Sequence, residues 1–472
     1  MNLICDIKKR QVGLIFILLS GILLLSLASC KKYLDKKPIQ RLAVPNTLTD
    51  LQALLDNETQ VGASPGDLEF VADNYYMTSQ SWATDPSVNE RLTYIWDKDA
   101  QVSTSLVWSS PYFVIYEANL VLSQLSNIAI DESNKLTYNN VKGTALFYRS
   151  FQFHQLAQLF CPPYSNSAST EPGIVLRLVP EVTAISVRST VQQTYDQIIS
   201  DLKTAALLLP STSLFPTRPS KATAYAELAR VYLSMRDYTN AGKYADSCLS
   251  IYNSLLDYNK LNLSTPPGTS AFPIYSSNPE ILYISYLGSE PDIPRDAHQE
   301  FIDSSLYQSY DVNDIRKTAF FGANSGANTG TYYWRGCYFN YSLSTAVFDG
   351  LATDEIYLIR AECSARAGNA AAAMVDLNTL MRNRWKTGTY TDATATDAND
   401  ALNKVLRERR KELLFRGLRW SDLRRFNLEG ANITLKRIIN GATYTLPPND
   451  PRWVLLIPDV EVQRSGLSQN PR

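Results

Sequence analysis

The chain has 472 residues, a formal net charge of −1, 45% hydrophobic residues and 19% charged residues. That composition is typical of a globular protein with a large core. With 45 basic against 46 acidic residues there is no basic excess to hold a phosphate backbone, which argues against nucleic acid as a partner. Two histidines against 28 tyrosines and 7 tryptophans favour a binding protein over a catalyst.

The N-terminus has the layout of an export signal. A basic segment at residues 8–10 precedes an apolar run from Val12 to Leu27, which is short for a bilayer span of ~20 residues. Residues 27–30 (Leu-Ala-Ser-Cys) resemble the lipobox of bacterial lipoproteins, in which the cysteine becomes the acylated N-terminus. An ordinary cleaved signal or an uncleaved anchor helix are the alternatives. We predict a signal peptide at residues 1–29 and lipid attachment at Cys30, with no membrane span after it.

The remaining cysteines do not predict a disulfide framework. Cys161, Cys248, Cys337 and Cys363 are few and widely spaced. Cys248 and Cys363 fall within helical patterns, where they are expected to be small core residues.

Helical periodicity is clearest in two segments. Apolar residues at i, i+3, i+4 and i+7 from Tyr225 resume after a break at Arg236-Asp237, which predicts a helical hairpin. A second hairpin begins near Asp354 and turns at Gly368-Asn369. Both place small residues where helices approach closely, as tetratricopeptide-type pairs do.

Further helices are expected at about 47–56, 109–126, 134–160, 190–209 and 400–416. The stretches between them are rich in Ser, Thr, Asn, Pro and Gly and are too long to be simple connections. We therefore predict a mostly α protein whose mature domain, residues 30–472, has two parts. These are a tetratricopeptide-like helix-pair scaffold at about 31–56, 109–254 and 354–426, and a loop-rich ligand-side subdomain at about 57–108, 255–350 and 427–472.

Five stretches resemble one known family. They are residues 30–35 (CKKYLD), 108–119 (WSSPYFVIYEAN), 354–362 (DEIYLIRAE), 405–427 (VLRERRKELLFRGLRWSDLRRFN) and 455–472 (LLIPDVEVQRSGLSQNPR). Together they resemble the SusD/RagB family along essentially the whole mature chain. Two departures stand out, because Arg416 replaces a common glutamate and residues 353–355 replace a more usual Arg-x-Ala-Glu opening.

The arginine-rich fourth stretch has two interpretations. It can form a phosphate- or heparin-binding patch. Its acidic residues also alternate with the basic ones, so the charges can pair across a helix–turn junction and fix the path of the chain. We favour the second interpretation.

The resemblance implies a surface-exposed lipoprotein of the outer membrane that captures oligosaccharides, or peptides in RagB-type members. The implied partner is a SusC-like, TonB-dependent barrel transporter. The implied mechanism is binding and delivery without catalysis, and a glycoside hydrolase is the remote alternative because two carboxylates suffice for it. No cofactor is expected, although the acidic stretch Asp292 to Asp303 would permit structural Ca²⁺.

The ligand-binding residues must be inferred from chemistry, because the family motifs do not carry them. Sugar rings present apolar C–H faces that stack on Trp and Tyr, with polar groups at the rim. Two aromatic clusters lie in expected loops, where binding residues concentrate. The candidates are Asn74, Tyr75, Tyr76, Trp82 and Trp96 in the first cluster, and Tyr332, Tyr333, Trp334 and Arg335 in the second. The alternative is that these side chains only seal loops onto the core.

Overall fold

A computed structural model describes residues 45–57, 63–266, 269–288, 300–338 and 347–472. The predicted signal peptide and Cys30 lie outside these residues. The described helices are α1 Leu48–Leu55, α2 Asp67–Phe70, α3 Ser79–Thr84, α4 Val88–Tyr94, α5 Leu106–Leu125, α6 Lys135–Phe160, α7 Val191–Leu208, α8 Lys221–Ser234, α9 Tyr238–Ile251, α10 Ser304–Gln308, α11 Arg316–Phe320, α12 Thr353–Arg366, α13 Ala370–Met381, α14 Ala398–Glu412, α15 Arg419–Leu428 and α16 Asp459–Ser465. The predicted mostly helical fold is confirmed. None of these helices combines the length and hydropathy that crossing a membrane requires.

The strands are short and lie between the helical segments. They are β1 Ala63–Pro65, β2 Tyr75–Met77, β3 Pro172–Val175, β4 Arg188–Thr190, β5 Ile281–Tyr283, β6 Tyr286–Gly288, β7 Glu300–Ile302, β8 Phe321–Ala323, β9 Tyr332–Trp334, β10 Val347–Phe348, β11 Leu351–Ala352, β12 Leu435–Ile439 and β13 Ala442–Leu446. A three-stranded sheet has the order β1-β6-β10, and the others pair two by two as β11-β5, β12-β13, β2-β7, β3-β4 and β8-β9. The stretches expected to be irregular therefore contain small sheets and short helices.

The two predicted hairpins are present and turn in the same way. Arg236 adopts a φ of 65° after α8, and Asp237 then caps α9 by accepting from the Asn240 amide. Gly368 adopts a φ of 85° after α12, and Asn369 caps α13 through the Ala372 amide. In both hairpins a left-handed residue ends one helix and a side-chain acceptor begins the next.

The two hairpins contact each other through small residues. Helices α9 and α12 pack together, and a Cβ placed on Gly242 would lie 3.1 Å from the Cβ of Cys363. Cys248 and Cys363 are both buried, as predicted. Since a Cβ at position 242 would make a tighter contact than is usual, the small residues allow the two hairpins to approach closely.

Helix α14 ends earlier than predicted. The periodic pattern suggested a helix to about residue 416, but α14 ends at Glu412. Phe415 and Gly417 then adopt φ values of 56° and 68°, and Gly417 lies against Leu287. These two left-handed residues turn the chain from α14 into α15, which hydrophobic spacing cannot anticipate.

The family signature forms a buried ion-pair network at this turn. Arg409 binds Asp422 at 2.9 Å, and Asp422 binds Arg425 at 2.9 Å. Both Nη atoms of Arg425 bind the carboxylate of Glu362 on α12, which lies in another of the resembling stretches. The interpretation of the signature as structural is confirmed for these residues, because each buried charge has a partner.

One buried carboxyl makes stability depend on pH. Burial raises the pKa of Asp349 from 3.8 to about 7, although hydrogen bonds from Ser64 and Ser285 lower it. Because the folded pKa is raised, the neutral carboxyl of Asp349 is the form that the fold favours. The stability that this neutral form contributes is full below the unfolded pKa and is lost as pH rises toward 7. We expect Asp349→Asn to raise the unfolding free energy at pH 8 by up to about 4 kcal/mol and to change it little at pH 4.

Urea unfolding at a series of pH values measures this effect. Asp196→Asn, which removes an exposed carboxyl, is the control and should leave the pH profile unchanged. A parallel shift of the Asp349→Asn curve at every pH would contradict the assignment.

Candidate ligand-binding site

Tyr76 is the outward-facing member of the first aromatic cluster. Strand β2 pairs antiparallel with β7, so that Tyr75 lies opposite Ile302 and Tyr76 opposite Phe301. Tyr75 and Met77 are buried, whereas Tyr76 between them is half-buried, as alternation along a strand requires. The rings of Tyr76 and Phe301 have centroids 5.5 Å apart. The predicted pair Tyr75 and Tyr76 is thus divided between core and surface.

Tyr332 is the outward-facing member of the second cluster, and its ring contacts a second half-buried tyrosine. Strand β9 pairs with β8, and Tyr332 is half-buried while Tyr333 and Trp334 are buried. The ring of Tyr332 stacks on Tyr307 of α10, with centroids 3.4 Å apart and planes 17° apart. Strand β9 also contacts β7, the pairing partner of β2, so that β7 contacts the strands that carry the two predicted clusters. We call Tyr307 and Tyr332 the aromatic face.

The surroundings of the stack add polar groups to its apolar rings. The ammonium of Lys317 lies 4.9 Å from the centroid of Tyr307 and donates to the Tyr310 carbonyl at 2.8 Å. Burial, followed by the hydroxyl of Tyr332, raises the pKa of Tyr307 to about 12, so its phenol keeps its proton near neutral pH. A flat apolar surface edged by a phenol donor and an ammonium suits the face and hydroxyl rim of a sugar ring.

Tyr307 was not among the predicted residues. It lies in a five-residue helix that Asp303 caps, within a stretch that was expected to be irregular. Its role depends on β9, which follows it in the chain and places Tyr332 on its ring.

The structure corrects the prediction for Trp96. This tryptophan is only 3% exposed, and its indole N–H donates to the Val71 carbonyl at 3.0 Å. The guanidinium of Arg437 lies 3.6 Å from the ring of Tyr94, 4.6 Å from Trp96 and 5.3 Å from Tyr75. These aromatic rings therefore surround a cation of the protein itself and present no face to a ligand.

Trp334 and Tyr333 are also placed inside the core, contrary to expectation. Trp334 is 5% exposed and packs between Phe320 and Phe415, with both ring centroids 5.0 Å away. Tyr333 covers Gly322, where an added Cβ would clash with its ring. Strand β9 buries two large aromatics and leaves one, Tyr332, for the surface.

The remaining predicted residues hold loops in place. Trp82 is half-buried and its indole N–H donates to the Arg91 carbonyl at 2.8 Å. Asn74 is buried and donates to Glu69 at 2.6 Å, and Arg335 binds Thr265. Of these, Trp82 and Arg335 keep part of their surface accessible.

The family signature anchors the segment that carries Tyr76. Arg419 binds both oxygens of Asp73 at 2.7 and 2.9 Å, three residues before Tyr76. Burial favours the neutral acid, but Arg419 and Arg410 outweigh it and hold the pKa of Asp73 at about 2. Glu69 accepts from the Gly417 amide at 3.1 Å, so both ends of the segment are fixed to the α14–α15 turn.

A serine, a histidine and a carboxylate meet in the core in an arrangement that resembles a hydrolase triad. His154 Nδ1 lies 2.7 Å from Glu227, and its Nε2 lies 3.3 Å from the Ser234 hydroxyl. All three residues are buried, and the serine hydroxyl donates to the Val231 carbonyl at 2.7 Å. A nucleophile must reach its substrate, so this geometry stabilises packing and has no access for hydrolysis.

The described residues contain no cluster of three or more metal-binding side chains. The acidic stretch considered for Ca²⁺ lies mostly outside the described residues. Its last member, Asp303, caps α10 and lies 3.3 Å from Arg410.

Comparison with known proteins identifies the family to which the chain is similar. Residues 32–233 match a SusD-like family described as starch-binding and associating with the outer membrane, and residues 353–471 match the SusD family. The SusD-like protein P2 of Formosa agariphila is 26% identical over 377 residues, covering 69% of this chain and 72% of that protein.

Solved structures share the fold. A SusD superfamily protein from Bacteroides thetaiotaomicron has a TM-score of 0.73 and 20% identity, covering 90% of this chain and all of that one. A SusD superfamily protein from Bacteroides vulgatus has a TM-score of 0.69 and 22% identity, covering 90% of this chain and 99% of that one. A laminarin-binding SusD-like protein has a TM-score of 0.62 and 17% identity, covering 90% of this chain and 98% of that one. Because the two family models together match more than half of the residues, the chain belongs to the SusD/RagB family of carbohydrate-binding proteins associated with the outer membrane.

Proposed function

We propose that this protein captures oligosaccharides on its aromatic face and delivers them to a SusC-like, TonB-dependent barrel in the outer membrane. The observation that carries the proposal is the stack of the half-buried Tyr307 and Tyr332. Sugar rings stack on such surfaces through their C–H faces, while phenol and ammonium groups bind the hydroxyls. The family's carbohydrate binding supports the same ligand class.

The location that we propose is the cell surface, with the chain held by lipid on Cys30. The support is the lipobox-like sequence at residues 27–30 and the outer-membrane association of the family. Two or more acyl chains hold a protein far more firmly than one, at ~0.8 kcal/mol per buried methylene. Such an anchor allows the binding face to remain free for ligand and for the barrel.

Binding without catalysis agrees with the chemistry of the described site. Its stacked tyrosines and the adjacent Lys317 supply a stacking surface and hydrogen-bond donors, which are the groups that hold a sugar ring. Incubation of the purified protein with bound oligosaccharides and assay for new reducing ends tests this directly. New ends above the enzyme-free control would favour the hydrolase alternative.

The capture test uses the mature chain expressed without its leader and a panel of neutral oligosaccharides and peptide mixtures, measured by calorimetry. Laminari-oligosaccharides come first, because a structural relative is described as laminarin-binding. We expect the double variant Tyr307→Ala, Tyr332→Ala to weaken binding about tenfold or more, since it removes both stacking rings.

Tyr244→Ala is the matched control. Tyr244 is also half-buried and stacks on another tyrosine, Tyr232, with centroids 5.6 Å apart, but it belongs to the helical hairpin. Equal affinity in the wild type and the double variant would refute the aromatic face as the site. Binding of peptides with the same dependence on Tyr307 and Tyr332 would favour the RagB-type alternative.

A further inference from the structure

A second concave surface lies apart from the aromatic face. It is a groove of about 990 Å³ between α10, α14 and α15, within the size range of ligand sites. The apolar side chains of Leu306, Leu406, Phe426 and Ile433 line it. None of its lining residues belongs to a strand, so it offers no free backbone edge along which a peptide could pair.

Four basic side chains also line the groove, and two of them are neutralised internally. Arg419 binds both oxygens of Asp73. Lys411 binds Glu408 at 3.1 Å and Asp314 at 3.3 Å. The acidic lining residues are committed as well, because Glu408 binds Arg316 and Asp400 binds Lys404 at 2.5 Å.

The other two bases, Arg407 and Arg410, lie one helical turn apart on α14, and Arg407 is the one without a carboxylate partner among the described residues. Arg407 is exposed, and no hydrogen-bond or ion-pair partner for it occurs in the described part of the chain. Arg410 reaches Asp303 at 3.3 Å and Asp73 at 3.5 Å through one Nη, while its buried Nε has no partner. Burial, and then the charge of Arg419, lower the pKa of Arg410 below its ordinary value. Asp73 and Asp303 therefore hold Arg410 beside the groove, and Arg407 is the base that remains for an anion.

We propose that this groove binds an acidic oligosaccharide, whose rings lie on the apolar residues and whose carboxylate or sulfate groups meet Arg407. Arginine suits this task because its planar fork binds either anion with two parallel hydrogen bonds. The inference rests on the proposed capture of oligosaccharides and adds the anionic class of sugar. The arginine-rich helix thus has two functions, since its inner face holds the fold and its outer face binds ligand.

The test measures binding of tetragalacturonate, a sulfated tetrasaccharide and maltotetraose to the mature chain by calorimetry at physiological salt. We expect Arg407→Ala to weaken binding of an acidic sugar about tenfold, as loss of a charge-assisted hydrogen bond predicts, without changing the neutral one. Arg464→Ala removes an exposed arginine from α16 and is the control for loss of one positive charge. Tighter binding of tetragalacturonate than of the sulfated tetrasaccharide would identify a carboxylate as the preferred anionic group, and the reverse order would identify a sulfate.

The outcomes separate this inference from the proposed function. Loss of acidic-sugar binding in Arg407→Ala, with binding retained in the Tyr307→Ala, Tyr332→Ala variant, supports the groove. No binding of either acidic sugar, or equal loss in Arg464→Ala, overturns it and leaves capture at the aromatic face intact. Equally tight, Arg407-dependent binding of pentaglutamate would assign the groove to acidic peptides and overturn the saccharide proposal.

Discussion

Arg425→Ala is expected to destabilise the fold by about 3–5 kcal/mol, the cost of removing one partner from a buried ion pair. Arg425 is 1% exposed and holds Glu362 with both Nη atoms and Asp422 with its Nε. Without it, Arg366, at 2.8 Å, is the ion-pair partner that the fully buried Glu362 keeps among the described residues. Helix α12 and the α14–α15 turn would lose the arginine that joins Glu362 to Asp422. Urea unfolding at neutral pH measures the change.

The pH dependence gives this prediction a second test. Burial opposes ionisation of Glu362, but Arg425 outweighs it and lowers the pKa of this carboxyl. Because the folded pKa is depressed, the stabilisation is present above the unfolded pKa and is lost as pH falls through the folded one. The deficit of Arg425→Ala should therefore shrink in acid.

Arg382→Ala is the matched control for an arginine in an ion pair. Arg382 pairs with Asp392 on the surface, where both side chains are about half exposed. Such a pair contributes about 0–1 kcal/mol. Similar losses in the two variants would contradict the assignment of Arg425 as a charge centre of the fold.

Arg437→Met is expected to cost about 3 kcal/mol and to loosen the segment that carries Tyr76. Arg437 donates to the carbonyls of Phe70 and Ala72 at 3.1 and 2.6 Å, and its charge lies among three aromatic rings. Hydrogen bonds from a charged group contribute about 1.5–3 kcal/mol, and a desolvated cation–π contact about 2 kcal/mol. Methionine fills similar space but supplies neither.

The measurements are urea unfolding and tryptophan fluorescence, because Trp96 lies 4.6 Å from the guanidinium. Lys436→Met changes the exposed neighbour on the same strand and should leave both unchanged. An unaltered emission spectrum together with wild-type stability in Arg437→Met would show that the aromatic rings do not depend on this cation.

The helical part of the fold could be read from local sequence. The stripe from Tyr225, the break at Arg236-Asp237 and the turn at Gly368-Asn369 each correspond to observed helices and turns. A 3.6-residue period reports which face of a helix is buried, and capping residues report where it begins. Both signals lie within a few residues of the structure that they specify.

Long-range pairing explains what sequence reasoning missed. The two departures from the family pattern meet in space, because Arg416 binds Asp354 at 2.7 Å across 62 residues of chain. Tyr332 is half-buried whereas Trp334 is buried, because Trp334 packs against Phe415 and strand β9 pairs with β8. Burial of an aromatic depends on which strand or cation packs against it, and that partner is distant in sequence.

The amino-acid order alone therefore determined the family, the helical pairs and the aromatic, weakly charged character of the molecule. Only the tertiary structure decided which aromatics reach the surface. In the first cluster, strand alternation and the cation Arg437 bury Tyr75 and Trp96. In the second, packing against Phe320 and Phe415 buries Trp334.

The tertiary structure also separated the paired arginines of α14, Arg409 and Arg410, from the exposed Arg407. Local periodicity indicates which side chains share one face of a helix or strand. Whether that face is buried depends on contacts with segments that are distant in sequence.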